Sequence, residues 1–344
     1  MKVLDLRSDT VTLPTPEMRE AIYRAELGDD VWGEDPTVNR LEEMAAELMG
    51  KEASVLVVSG TMANLVSVLA HTQRGDEVLL GDQAHILLYE AGGSATFGSL
   101  QMRALPNDED GRIDVGLIES AIRPSNLHFP RTGLICLENT HNRCGGAVLP
   151  VDYLQEVGDI ACKNGVPVHL DGARIFNAAI CLGVEAREVT APVDSVSFCL
   201  SKGLACPVGS LVCGSAEFVG RARKIRKMAG GGMRQAGIIA AAGIVALETM
   251  VDRLAEDHEN ARQIAEGLAE ISGIRIDPTT VRTNIILFEL TAEQIGPEEF
   301  ISSLAREGVR ISTFGGRKMR IVTHYGIERE DVPVALAAVR RVLS

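Results

Sequence analysis

Short, almost continuously apolar runs alternate with helix-like segments between residues 36 and 230. A strand that is apolar along its whole length is buried on both faces, which is typical of a parallel sheet covered by helices. The alternation therefore predicts an α/β domain with a mainly parallel sheet. The predicted strands are residues 55–58, 77–80, 133–137, 166–170, 193–199 and 208–213.

The pattern changes after Arg234, where a long helical segment runs past Glu248 towards Ile271. Beyond it the order becomes strand, helix, strand, strand and helix, which predicts a small α+β unit. We therefore expect a large domain over residues 1–249, including the N-terminal segment, and a small one over residues 250–344. The predicted elements of the small domain are strands 284–288, 309–312 and 319–322 and helices 297–306 and 331–342.

Charge and aromatic content argue against two classes of partner. The formal net charge is −13, and only 4% of the residues are aromatic. Nucleic acids and anionic membranes attract basic proteins, and single-stranded nucleic acids stack on aromatic side chains. The longest apolar run, residues 236–247, is shorter than the ~20 residues of a membrane span. We therefore predict no nucleic-acid and no membrane partner.

The cysteines indicate a reducing compartment. Seven cysteines are scattered along the chain without a C-x-x-C pair, and cysteine and histidine follow no zinc-ligand spacing. The N-terminus lacks an apolar stretch of signal-peptide length. We therefore predict reduced thiols, no metal site and a cytoplasmic protein.

Two charged residues follow predicted strands. Lys202 comes after run 193–199, and Asp171 comes after run 166–170. A lysine at an apolar strand end is partly desolvated, which favours the neutral, nucleophilic amine. An acid at one strand end and a lysine at another is how proteins hold pyridoxal 5'-phosphate (PLP): the lysine forms the Schiff base, and the acid keeps the pyridine nitrogen protonated. Each residue alone also fits a solvated strand edge, but the pair predicts a PLP site.

A strand, a tight turn and a helix surround Gly60 and Thr61. A glycine lets the backbone approach an anion, and the first turn of a helix offers free N–H groups and a positive dipole end. An ordinary turn with a capping threonine has the same pattern. If PLP is bound, we expect its phosphate here.

Four further side chains are candidates for the same crevice. His85 follows the strand 77–80 at the edge where α/β proteins bind ligands, so it can stack on a planar ring or move protons, although a structural histidine fits equally well. Tyr89 lies one helical turn later. His128 stands between two prolines, in a rigid setting that suits a positioned base or a plain surface loop. Arg320 lies in a strand pattern and would bind a substrate carboxylate if it faces the cleft.

Taken in order, several segments resemble the low-specificity and L-allo threonine aldolases, which are PLP enzymes of fold-type I. The resemblance covers nearly the whole chain. It rests on Leu6-Arg7-Ser8-Asp9-Thr10-Val11-Thr12, Gly28-Asp29-Asp30-Val31-Trp32-Gly33-Glu34-Asp35-Pro36, Ser59-Gly60-Thr61-Met62, Glu138-Asn139-Thr140-His141-Asn142, His169-Leu170-Asp171-Gly172-Ala173-Arg174, Leu200-Ser201-Lys202-Gly203-Leu204, residues 227–235 and Arg320-Ile321-Val322-Thr323-His324. It implies an aspartate aminotransferase-like large domain and a small C-terminal domain.

The resemblance also implies roles. The catalytic residues would be Lys202, His85, His128 and Asp171. The cofactor would be bound by Gly60, Thr61, His85, Asp171, Arg174 and Lys202, with Lys227 and Arg234 reaching its phosphate from a neighbouring subunit. The substrate would contact Ser8, Tyr89, His128, Arg174 and Arg320. A dimer would be the smallest working unit, and a tetramer is expected.

The implied reaction is the cleavage of L-threonine or L-allo-threonine to glycine and an aldehyde, which makes the protein a carbon–carbon lyase. Three alternatives stay open. One is another fold-type I PLP enzyme that performs β-elimination or serine hydroxymethyl cleavage. A second is a catalytically silent PLP-binding protein. A third is an aldolase that uses Lys202 without a cofactor, although it leaves Asp171 and the turn at Gly60 unexplained.

Overall fold

The computed structural model describes residues 2–344. The strands are β1 (Leu4–Asp5), β2 (Ala53–Val57), β3 (Glu77–Gly81), β4 (Gln101–Leu105), β5 (Thr132–Glu138), β6 (Val168–Asp171), β7 (Ser195–Cys199), β8 (Ser210–Gly214), β9 (Ile274–Arg275), β10 (Ile285–Leu290), β11 (Val309–Arg310), β12 (Ser312–Gly315) and β13 (Lys318–Val322).

The α-helices are α1 (Pro16–Arg24), α2 (Pro36–Leu48), α3 (Gly60–His71), α4 (His85–Leu88), α5 (Gly93–Gly98), α6 (Val115–Ala121), α7 (Val151–Asn164), α8 (Ile175–Leu182), α9 (Ala186–Thr190), α10 (Ala216–Met228), α11 (Gly237–Thr249), α12 (Leu254–Ala269), α13 (Pro297–Arg306) and α14 (Asp331–Leu343). Short 3₁₀ helices cover Asp9–Val11, Asp30–Trp32 and Pro278–Thr280.

A seven-stranded sheet in the order β2-β8-β7-β6-β5-β3-β4 forms the centre of the large unit. Strands β7, β6, β5, β3 and β4 are parallel to one another, and β8 runs antiparallel to both of its neighbours. Strands β3, β5, β6, β7 and β8 are buried at every residue, which is why their sequences are apolar on both faces. The prediction of an α/β domain with a mainly parallel sheet is confirmed.

Two elements of the large unit differ from the sequence prediction. Strand β4 was not predicted, because it is an edge strand whose Gln101 and Arg103 are not buried and interrupt the apolar pattern. The long helix expected after Arg234 is two helices, α11 and α12, separated at residues 250–253. In residues 2–344, no helix has the length and apolarity needed to cross a membrane.

The C-terminal unit contains an antiparallel sheet in the order β12-β13-β10-β9, which packs with α12, α13 and α14. The single strand expected at 309–312 is divided, since Val309–Arg310 pairs with β1 and Ser312–Gly315 pairs with β13. Leu4 and Leu6, which we had assigned to the large domain, are buried in the C-terminal apolar cluster. The domain boundary near residue 250 stays a prediction. The N-terminal segment contacts the C-terminal unit through Leu4 and Leu6 and the large unit through Asp9.

The parallel strands determine where polar side chains meet. The carboxyl ends of parallel strands lie along one edge of a sheet, where α/β proteins bind ligands. Asp171 is the last residue of β6, His85 begins α4 after β3, and Lys202 follows β7 by three residues. The fold therefore brings these residues to one crevice.

Candidate active site

Two neighbouring cavities open at this edge of the sheet. The inner cavity has a volume of about 200 Å³ and is lined by Gly60, Thr61, Asn64, His85, Glu90, Asp171, Ala173, Cys199, Ser201 and Lys202. The outer cavity has a volume of about 450 Å³ and is lined by Arg7, Ser8, Thr10, His85, Tyr89, Asn142, Arg174, Lys202, Ser312, Thr313, Phe314 and Arg320. His85 and Lys202 line both cavities, so they stand where the two meet.

The N-terminus of α3 forms one wall of the inner cavity. Ser59 caps the helix by accepting a hydrogen bond from the Met62 amide, but the amides of Gly60 and Thr61 have no acceptor within residues 2–344. A Cβ at Gly60 would lie 2.8 Å from Cys199 Sγ, so only glycine fits against the end of β7. Two free amides at the positive end of a helix form a suitable cradle for a phosphate.

Asp171 offers its carboxylate to the same cavity from the carboxyl end of β6. Its Oδ1 accepts from the Ala173 amide at 3.1 Å, and its Oδ2 accepts from Asn64 Nδ2 at 2.8 Å. The residue is only 3% exposed. These donors hold the carboxylate in one orientation, as is required of an acid that must bind a pyridine N–H.

His85 is held by two acidic residues. Its backbone amide donates to Glu138 Oε2 at 2.7 Å, and its ring Nδ1 lies 2.9 Å from Glu90 Oε1. Burial acts to lower the pKa of His85, but the hydrogen bond that His85 donates to Glu90 and the charge of Asp171 outweigh burial, so the pKa of His85 is raised. Burial, together with the charge of Asp171, raises the pKa of Glu90.

Arg320 is a guanidinium of the outer cavity that has no carboxylate partner in residues 2–344. It lies in the middle of β13, between β10 and β12. The only hydrogen bond of its side chain to residues 2–344 is a long one of 3.4 Å from Nη1 to Asn142 Oδ1, and its buried Nε has no partner. Burial and the nearby charge of Arg174 lower its pKa. A half-buried guanidinium without a carboxylate partner fits the carboxylate of a bound amino acid.

Arg174 is not free in the same way. Its Nε and Nη2 donate to the two carboxylate oxygens of Asp9 at 2.6 and 2.7 Å, and both side chains are buried. Burial opposes ionisation of Asp9, but the charge of Arg174 and these hydrogen bonds keep the pKa of Asp9 well below its usual range. Arg174 lines the outer cavity while its fork is occupied by a carboxylate of its own chain.

Ser8 and Tyr89 also line the outer cavity. Ser8 caps the 3₁₀ helix that carries Asp9 and accepts from the Thr10 amide. The Tyr89 hydroxyl accepts from Arg143 Nη1 at 2.6 Å, and its ring lies 5.4 Å from the His85 ring, tilted by 43°. Both side chains are therefore placed to contact a ligand in this cavity.

Three predicted site residues line neither cavity of their own chain. His128 is exposed, and its backbone amide is bound by Asn126 Oδ1. Lys227 is exposed at the end of α10, and Arg234 is exposed and paired with Asp29. The prediction that Lys227 and Arg234 act on a neighbouring subunit's site stays a prediction, and so does the role of His128 in the reaction.

Sequence reasoning missed Asn64, Glu90 and Asp9 as parts of the site. Asn64 lies inside helix α3, and its partners Glu90 and Asp171 are 26 and 107 residues further along the chain. Glu90 lies between α4 and α5, and its position five residues after His85 was the one local signal for it. Asp9 belongs to a segment that supported the family resemblance, and its position next to Ser8 was the one signal that could have identified it.

The inner cavity passes a chemical test for PLP. It combines an amine at Lys202, a fixed carboxylate at Asp171 and unpaired helix amides for a phosphate, and the outer cavity adds a free guanidinium. Two solved structures have the same fold: a Leishmania major threonine aldolase (TM-score 0.84, 18% identity, 99% of this chain and 100% of that chain) and a Sphingomonas wittichii serine palmitoyltransferase (TM-score 0.77, 18% identity, 99% and 87%). The fold and the site define a PLP-dependent enzyme of fold-type I.

Sequence comparison is more specific. Residues 5–291 match the beta-eliminating lyase family. The chain is 47% identical to an Arabidopsis thaliana protein named a probable low-specificity L-threonine aldolase (99% of this chain, 98% of that protein) and 44% identical to the Escherichia coli K12 low specificity L-threonine aldolase (99% and 100%). The chain therefore belongs to the beta-eliminating lyase family, whose cofactor is PLP, and within it to the low-specificity L-threonine aldolases.

Proposed function

We propose that this lyase cleaves L-threonine and L-allo-threonine, and related β-hydroxy-α-amino acids, to glycine and an aldehyde, which is acetaldehyde for threonine. The observation that supports this best is the position of Arg320. Its guanidinium has no carboxylate partner in residues 2–344 and lines the cavity that Lys202 shares. An amino acid bound through Arg320 would have its α-carbon close to Lys202.

The residues of the inner cavity would hold the cofactor. Lys202 would bind it covalently, Gly60 and Thr61 would bind its phosphate, and Asp171 would keep a proton on its pyridine nitrogen. When bound, PLP supplies an electron sink that stabilises negative charge at the α-carbon of the substrate.

The residues of the outer cavity would orient the substrate. Arg320 and Ser8 would bind the carboxylate, with Arg174 beside them. Binding at that end directs the β-hydroxyl group towards His85, whose unprotonated ring nitrogen would remove the hydroxyl proton, directly or through a water molecule. Tyr89 would contact the β-substituent next to His85. Cleavage requires that proton to leave while the bond between the α- and β-carbons breaks.

The working unit would be a homodimer or a tetramer. Lys227 and Arg234 are cations that face away from the cavity of their own chain, in an otherwise acidic protein. From a second copy they would reach the phosphate beside Gly60 and Thr61, and His128 would reach the β-hydroxyl group. The enzyme would act in the cytoplasm, in threonine breakdown and glycine formation.

Product analysis tests the proposed reaction. Purified protein loaded with PLP is incubated with L-threonine, L-allo-threonine or L-serine, and glycine, acetaldehyde, formaldehyde and pyruvate are quantified. We expect equimolar glycine and acetaldehyde from both threonine diastereomers. Pyruvate from serine as the main product would identify a β-eliminating enzyme instead. Bound PLP without any product would identify a silent binding protein, and full activity without bound PLP would indicate an amine-only aldolase.

A further inference from the structure

A short chain of hydrogen bonds joins His85 to Asp171 along the wall of the inner cavity. Asn64 Nδ2 donates to Glu90 Oε1 at 2.7 Å and to Asp171 Oδ2 at 2.8 Å, and Glu90 Oε1 also lies 2.9 Å from His85 Nδ1. One ring nitrogen or carboxylate oxygen from each of His85, Glu90 and Asp171 lies within 4.8 Å of the others. The chain therefore connects the two residues expected on the face and at the nitrogen of the cofactor ring.

Asn64 has only one amide orientation that suits its surroundings. Both of its carboxylate neighbours accept hydrogen bonds, so Nδ2 must face them. On the other side, Asn64 Oδ1 accepts from Ser197 Oγ at 3.0 Å. Asn64 is 2% exposed and lies inside α3, so this orientation is held by packing as well. Asn64 therefore holds the Glu90 carboxylate at a fixed position next to His85.

Glu90 in turn determines which nitrogen of His85 carries a hydrogen. When Glu90 is ionised its carboxylate only accepts, so His85 Nδ1 then donates to Glu90 Oε1. In the neutral ring the lone pair then lies on Nε2, for which the structure has no hydrogen-bond partner in residues 2–344. A carboxylate that orients an imidazole in this way keeps the opposite nitrogen available as a base.

We propose that Glu90, held by Asn64, is the positioning residue that keeps His85 in the Nδ1–H form with Nε2 free to take the β-hydroxyl proton. This inference rests on the proposed aldol cleavage and on the role of His85 in it. Glu90 acts through His85 and does not itself contact the substrate. Glu90 has no direct hydrogen bond to Asp171, and Asn64 Nδ2 donates to both carboxylates.

Two substitutions of Glu90 distinguish its role as a hydrogen-bond acceptor that positions His85 from the effect of its negative charge. In Glu90→Gln the amide oxygen still accepts from His85 and Asn64, whereas Glu90→Met has similar volume and no acceptor. We expect kcat for L-threonine to fall by about 10- to 100-fold in Glu90→Met and by less than about fivefold in Glu90→Gln, because general-base catalysis is worth about 10²–10⁴-fold. The KM for threonine should change by less than about threefold, since Arg320 is untouched.

A double-mutant cycle tests whether Glu90 acts through His85. In the His85→Asn background, Glu90→Met should lower kcat by less than about twofold, because the ring that it orients is gone. The Kd for PLP, from absorbance titration of the cofactor-free protein, should stay within about threefold of the wild-type value in Glu90→Met. Glu42→Met is the matched control: like Glu90→Met it replaces a buried, hydrogen-bonded glutamate by methionine, but Glu42 lies outside both cavities and accepts from the Leu56 amide, so kcat should not change.

The outcomes are distinguishable. A wild-type kcat in Glu90→Met, an equal loss in Glu90→Gln and Glu90→Met, or the same loss with and without His85 would each overturn the role of Glu90. A loss that appears only in the Kd for PLP would do so too, because it would make Glu90 a cofactor-binding residue. Failure of the wild-type enzyme to form acetaldehyde, or full activity of His85→Asn alone, would instead contradict the proposed function.

Discussion

Asp9 and Arg174 form a bidentate ion pair in the interior, with Nε–Oδ2 and Nη2–Oδ1 distances of 2.6 and 2.7 Å. The pair joins the 3₁₀ helix near the N-terminus to the start of α8, directly after the Asp171 strand end. Because Arg174 is paired with Asp9, and Arg7 with Asp5, Arg320 is the guanidinium of the outer cavity that remains open to a ligand carboxylate. Arg174 therefore has a structural role as the partner of Asp9, whereas Arg320 is available to bind a ligand.

Asp9→Asn should destabilise the protein strongly. Removing one partner of a buried ion pair leaves an uncompensated charge, which costs about 3–5 kcal/mol in the free energy of unfolding. Urea denaturation followed by circular dichroism measures it. Glu266→Gln, which breaks an exposed helix-surface pair with Arg262, should leave the midpoint unchanged. A loss under about 1 kcal/mol for Asp9→Asn would contradict the structural role of the pair.

Arg320→Ala should chiefly impair the binding of amino acids. A charge-assisted bidentate contact contributes about 2–3 kcal/mol, so kcat/KM for L-threonine should fall by about 30- to 200-fold, with a raised KM. Arg320→Lys keeps the charge but not the fork and should recover only part of the loss. The Kd for PLP should be unchanged, since Arg320 does not line the inner cavity. Normal threonine affinity in Arg320→Ala would refute the carboxylate assignment.

Asp257 gives the protein a pH-dependent stability. Burial raises its pKa to about 6, even though Arg253 Nη1 donates to its Oδ1 at 2.9 Å. An unfolded chain loses the Asp257 proton near pH 4, whereas the folded protein keeps it up to about pH 6. The free energy of unfolding therefore falls as the pH rises from 4 to 6. Relative to Asp257→Asn, the wild type should lose about 2 kcal/mol between pH 4 and pH 7. Urea denaturation at both pH values measures this difference, and a constant difference would contradict the raised pKa.

Hybrid oligomers test whether Arg234 acts on a neighbouring site. Lys202→Ala and Arg234→Ala subunits are each expected to be nearly inactive alone. If Arg234 acts across an interface, a mixed dimer contains one site with both residues intact, so an equal mixture that has exchanged subunits should recover about a quarter of wild-type activity. No recovery, after mass spectrometry has demonstrated subunit exchange, would place Arg234 in the site of its own chain or outside any site.

The sheet and the two residues at its strand ends were predictable because their signals are local. Buried strands are apolar in sequence, and a lysine or an aspartate directly after such a run must lie near the carboxyl edge of the sheet. Lys202 and Asp171 could therefore be identified from their neighbours in sequence alone. The direction of β8 could not, because its apolar run reads alike in either direction.

The residues that support the site could be identified only from the folded structure. The Asp9–Arg174 pair spans 165 positions, and the Asn64–Asp171 hydrogen bond spans 107. Neither Asn64 nor Asp9 carries a periodicity or a spacing that indicates its partner. His128 was predicted only through the family resemblance, since its setting between two prolines fits a surface loop equally well, and it is exposed in the single chain.

Lys202 should bind the cofactor covalently, and borohydride reduction followed by peptide mapping of the holoenzyme measures this bond. Reduction of the yellow holoenzyme should fix a pyridoxyl group to Lys202 in nearly every chain, and Lys202→Ala should show no such label while still binding some PLP. A label on another lysine of the wild type, or a folded protein that neither turns yellow with PLP nor takes up the label, would contradict the account.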